Sequence, residues 1–116
     1  MATEPTSPES SHRSSGLSVT VDASTAETTL YMCGEMDHFN TDILAEALGR
    51  IEFDGGRSVV VDLTRLRFCD AAGVSALLAV QRRISNAGSR LWVRAGSGIP
   101  RKVLTITGAD RVLDID

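Results

Sequence analysis

From residue 17 onward the chain follows a pattern of apolar and polar positions that changes period several times. "LSVTVD" alternates apolar and polar residues as a half-buried strand does, and "TTLYMCGEM" supplies a second β-rich run after the polar break "ASTAET". The pair predicts two hairpin-connected strands. In "NTDILAEALGRI" the spacing becomes helical: Ile43, Leu44, Ala47, Leu48 and Ile51 share a face, Asn40 or Thr41 can cap, and Asp42 sits near the positive helix end. "GGRSVVVDLTRL" then opens on a Gly-Gly break and runs through three valines, the mark of a strand buried on both faces and hence central and parallel.

The remaining segments keep the rhythm. A second helix is predicted from about Ala71 to Ala87 with Gly88 as its left-handed stop, and "SRLWVRA" follows as a strand. "GSGIPRKVLTITGADRVLDID" reads as a Gly-containing turn, a short helix with Pro100 in its first turn, a stop at Gly108 and a last strand "VLDI". The fold class expected is therefore α/β: a mainly parallel sheet of about five strands with an N-terminal antiparallel hairpin and helices packed against it. Residues 1–16, rich in Ser, Thr, Pro and Glu, hold no apolar residue beyond Met1 and Ala2 and are expected to form a flexible tail ahead of a domain spanning 17–116.

The central helix has two different faces. With Leu77 at zero and 100° per residue, Gly73, Val74, Val80, Gln81 and Ile84 fall within about 60° and should point at the sheet. Ala71, Ala72, Ser75, Ala79, Arg82, Arg83 and Asn86 lie opposite, giving two turns of small side chains followed by a basic patch. Asp70 precedes this helix as its N-cap, with its carboxylate at the positive end of the dipole. A cap alone would explain Asp70; a partner-binding surface would also explain the small residues beside it.

Composition narrows the function classes. The 116 residues suit one core, and 42% apolar with 23% charged residues, without an apolar run of roughly 20, places the chain among soluble domains. "MATEPTSPESSHRSSG" lacks the basic start and apolar stretch of a secretory signal, so the cytoplasm is the expected location. A net charge of −3 argues against a nucleic-acid surface and for protein partners.

Candidate chemistry is sparse. His12 lies in the tail, His38 is the other histidine, and no nucleophile sits beside a base in a catalytic motif, so no enzyme activity is expected. Two cysteines and two histidines lack structural zinc spacing, and neither a metal nor a cofactor is expected. A Cys33–Cys69 bridge is disfavoured in a reducing cytosol. Cys69 beside a helix N-terminus, a setting that can lower a thiol pKa, makes it with Cys33 a candidate redox pair, against the plainer reading of packed cysteines. "AGSGIPRK" lacks the spacing of a phosphate-binding P-loop.

The order "GEMD", "VVVDLTRLRFCDAAGVSALL" and a short Gly-terminated helix before the last strand resembles the STAS domain, shared by anti-sigma-factor antagonists and the cytoplasmic tails of sulfate transporters. The resemblance spans about residues 17–116. It implies a regulatory module that binds an anti-sigma factor of the serine/threonine-kinase type, which switches the antagonist off by phosphorylating a Ser or Thr after the Asp at the start of the central helix. Aligned on Asp70 and Gly73, the family's Asp-Ser-Ser/Thr-Gly becomes Asp70-Ala71-Ala72-Gly73, so Ala71 occupies the phosphoacceptor position without a hydroxyl. Ser75, one turn below, is the alternative acceptor.

The resemblance also assigns Asp37 of "GEMD" to orienting the partner, although a turn residue opening the next loop would look the same. The expected partner surface is Asp37, Asp70, Ala71, Ala72, Ser75, Ala79, Arg82 and Arg83. Two alternatives remain open: a non-switching STAS scaffold or transport-complex subunit, and a nucleotide-binding STAS sensor using the "AGSGIPRK" turn. Many family members continue past the last strand into a further helix, so one sheet face here is expected to be left for a partner or a homodimer.

Overall fold

The computed structural model describes residues 9–14, 16–24, 26–51 and 57–116. Its elements run β1 (Glu9–Ser14), β2 (Leu17–Asp22), β3 (Thr28–Met36), α1 (Thr41–Gly49), β4 (Ser58–Cys69), α2 (Ala71–Asn86), β5 (Arg90–Arg94), α3 (Ile99–Ile106), a 3-10 turn (Ala109–Arg111) and β6 (Asp114–Ile115). The six strands lie in one sheet in sequence order. β1, β2 and β3 pair antiparallel, whereas β3 through β6 pair parallel, each parallel pair joined through a helix or, at the end, through α3 and the 3-10 turn.

The five strands and the hairpin expected from the apolar pattern are present, and Glu9–Ser14 adds a sixth at the hairpin edge. These six residues lie within the segment expected to be a flexible tail, and they pair with β2. Their sequence has no apolar alternation; the strand pairs with β2 through its backbone at the sheet edge. Residues 1–8 and 15, the rest of that expected tail apart from Gly16, lie outside the described residues.

β4 is the centre of the sheet, flanked in parallel by β3 and β5, and its Val59, Val60 and Val61 are all buried as the valine run predicts. The core is built by alternate strand residues, among them Val19, Leu30, Met32, Val61 and Val93, against Leu44 and Leu48 of α1, Leu77 and Ile84 of α2, and Leu104 of α3. Tyr31, Cys33 and Arg94 lie exposed on the strands. Buried Asp62 there accepts from the Thr64 N–H at 2.9 Å and pairs with Arg94 at 3.5 Å, which keeps its charge compensated.

α2 follows the predicted wheel: Gly73, Val74, Leu77, Val80 and Ile84 are buried, and Gln81 is half-buried. At its end Gly88 takes φ +82°, and the Ser89 N–H bonds the Ile84 carbonyl at 3.0 Å, the wrap-back bond that a left-handed glycine allows. Parallel β3 and β4 thus finish side by side, and each delivers a loop or helix start to the same edge of the sheet.

Candidate functional site

The site is built where β3 and β4 end. The Asp70 N–H donates to the Met36 carbonyl at 3.2 Å, tying the first residue after β4 to the last residue of β3. From that position the Asp70 side chain reaches two ways. One carboxylate oxygen accepts from the Gly73 N–H at 2.9 Å and caps α2; the other accepts from the His38 N–H at 3.2 Å, with the His38 Nδ1 at 3.6 Å. A single carboxylate therefore holds the helix N-terminus and the β3–α1 loop in one arrangement.

Partial burial opposes ionisation of Asp70, but the N–H donors of Gly73 and His38, together with the His38 ring, outweigh it. The carboxyl is held below the ordinary aspartate range.

Gly73 explains why the helix can start so close to the sheet. A Cβ at this position would lie 2.6 Å from the Cys69 Sγ and 3.2 Å from the Met36 Cε, so only glycine lets the first turn of α2 rest on the two strand ends. Met36 and Cys69 are both buried beneath it.

The loop itself is stiffened from within. Asn40, almost fully buried, accepts from the Asp37 N–H at 2.9 Å and donates its amide to the Glu35 carbonyl at 3.0 Å. Asp37 in turn accepts from the Phe39 N–H at 2.9 Å. Asn40 stands at the predicted N-cap of α1, but its side chain braces the loop and makes no cap hydrogen bond. The tip presents His38 and Phe39, whose rings lie 3.9 Å apart, and Phe39 is 79% exposed. This apolar side chain is held in solvent by a loop braced through Asn40 and Asp37.

The structure brings Asp37, Asp70, Ala71 and Ala72 together at this edge. Ala71 is exposed and Ala72 half-buried; Ser75 and Ala79 continue the exposed face along α2. Arg82 and Arg83 are also exposed, but stand about 17–18 Å along the helix axis from Ala71 at 1.5 Å per residue, so they form the far end of the face. His38, Phe39 and the bracing role of Asn40 were not singled out in the sequence. "DHFN" directly after a strand was the available signal, but its meaning depends on Asp70, 32 residues away.

The redox expectation is corrected for Cys69. Burial, and then the neighbouring Asp70 charge, push its thiol up to about 12, the reverse of what the helix N-terminus alone suggests. Cys33 is exposed, and both cysteines are free. The "AGSG" turn joins β5 to α3, where Arg101 donates to the Gly96 and Asp116 carbonyls and so serves the turn itself. Among the described residues no cluster of three or more His, Cys, Asp or Glu could hold a metal, and no helix is long and apolar enough to cross a membrane.

A mixed α/β sheet, antiparallel at its start and parallel from β3 onward, carries a capped, glycine-seated central helix beside a braced loop. The chain belongs to the STAS domain family: the model described as "Mlab, STAS domain" matches residues 19–114. Among its relatives, the anti-sigma-F factor antagonist RsfB of Mycobacterium tuberculosis is 26% identical over 95 residues, covering 82% of this chain and 77% of the relative. The crystal structure of an anti-sigma factor antagonist from Mycobacterium paratuberculosis superposes with a TM-score of 0.76 at 20% identity, over 90% of this chain and 88% of that one. The unphosphorylated form of the anti-sigma factor antagonist SpoIIAA gives 0.63 at 20% identity, over 84% and 87%.

Two measurements check this geometry. Asp70→Ala removes the cap and the loop clamp together and should cost roughly 1–2 kcal/mol in urea unfolding near neutral pH. Because the folded carboxyl titrates below its unfolded value, that stabilisation is full above about pH 4 and fades as pH falls through the folded pKa, so the gap to wild type should close in acid. A thiol reagent at pH 8 should label Cys33 in the native protein and reach Cys69 only after denaturation; rapid native labelling of both would contradict the burial of Cys69.

Proposed function

We propose that this chain is a regulatory protein-binding module, an anti-sigma-factor antagonist that binds a kinase-type anti-sigma factor and carries no phosphoacceptor at the start of α2. The observation that carries the reading is the exposed Ala71 at the first helical position, directly after the Asp70 cap and beside the clamped Asp37–Asn40 loop. RsfB and the superposing antagonists support the class of partner.

The physical consequence lies in charge. A phosphate at this position would add about −1.5 to −2 units beside Asp37 and Asp70 and push off an acidic or closely packed partner. An alanine methyl group adds nothing and leaves the face flat. The module then stays competent to bind, and its control passes to its abundance or to signals acting on the partner. Ser75 is exposed one turn further along but lacks the Asp70 cap next to it.

Incubation with the cognate kinase-type anti-sigma factor and ATP, followed by intact-mass analysis, should return the unmodified chain. Stoichiometric phosphate addition would overturn the reading. Affinity purification from the native cell should recover an anti-sigma factor; an ATPase or permease in its place would favour the transport-complex alternative.

A further inference from the structure

The exposed face of α2 does not end in a flat surface. Between the first turns of α1 and the middle of α2 lies a groove of about 250 Å³. Leu44 and Val80 form its floor and the short side chains of Ala45, Ala76 and Ala79 its walls. The groove exists because alanines stand where the two helices approach. Larger residues at Ala45 or Ala79, both exposed, would fill it from the solvent side.

Its two rims differ in charge. Asp42 stands on the α1 side and Arg83 on the α2 side, with exposed Arg82 next in the chain. None of the three forms an ion pair among the described residues, whereas Glu35, Asp62, Asp70, Asp114 and Asp116 each meet an arginine or His38. An apolar groove of this size, between one carboxylate and one guanidinium that form no ion pair among the described residues, is complementary to a large apolar side chain flanked by charges of opposite order.

We infer that this groove receives one large apolar side chain from an amphipathic helix of the anti-sigma factor, with an acidic residue of that helix meeting Arg83 and a basic one meeting Asp42. The inference rests on the proposed function and specifies how the partner is recognised. It divides the face into two stations. The Asp70 end, with Phe39 and the alanines, offers close approach; the groove, between the start of α1 and the middle of α2, supplies an anchor and sets direction, since the rim charges distinguish the two orientations of a bound helix. Arg83, remote from Ala71 along α2, thereby acquires a role that a switch confined to the helix start would not give it.

The test uses the full chain and the purified anti-sigma factors of its source organism, with binding read by titration calorimetry. Ala79→Trp should block the groove and Arg83→Glu should reverse one rim, each weakening binding about tenfold or more while thermal unfolding stays near wild type. Ala71→Trp serves as the probe of the other station. If Ala79→Trp and Arg83→Glu both bind as wild type while Ala71→Trp loses binding, the groove inference is overturned and the docking face stands. If the wild-type chain binds none of the purified anti-sigma factors, the functional reading fails, and the groove assignment fails with it.

Discussion

The site depends on one carboxylate. Asp70 leaves β4, bonds the end of β3 through its backbone, caps α2 with one side-chain oxygen and holds the His38 N–H with the other. Cap and clamp need opposite ends of the same small group, so the loop and the helix cannot be placed independently. The parallel pairing of β3 and β4 makes this possible, since only parallel neighbours release their next segments at the same sheet edge. Gly73 completes the constraint by letting α2 descend onto Met36 and Cys69.

On the proposed reading, the same scaffold that could display a hydroxyl displays a methyl group instead. The capped turn, the braced acidic loop and the exposed helix face are all retained, and Ala71 removes only the atom on which a phosphate would be built. The Asp70 interactions stabilise the fold whatever stands at Ala71, whereas Phe39 is held largely in solvent beside His38, and Arg82 and Arg83 form no ion pair among the described residues.

Much of the fold was legible because it follows from local periodicity. The Leu77 stripe, the valine run of β4 and the glycine stops at 88 and 108 each reflect a rule that acts within a few residues. β1 escaped because Glu9–Ser14 joins the sheet through its backbone, which no apolar pattern records. The site was half legible. Asp70 and the outward face of α2 follow from helix geometry, whereas His38 acquires its role from a residue 32 positions away. Asn40 stands at the expected cap position but turns its amide back to Glu35 and Asp37. For Cys69 a redox role and a packed thiol both stood open in the sequence because two effects compete there: a helix end can favour the thiolate, but burial and the Asp70 charge push the thiol up.

On the proposed reading, the docking face is permanently permitted to bind. The direct measurement is the affinity of the wild-type chain for its purified kinase-type anti-sigma factor, taken after incubation with ATP and again with a non-hydrolysable analogue. The account predicts the same dissociation constant in both cases, within about twofold. A loss of about tenfold or more, or 1.4 kcal/mol, that appears only with hydrolysable ATP and persists after the nucleotide is removed would contradict it.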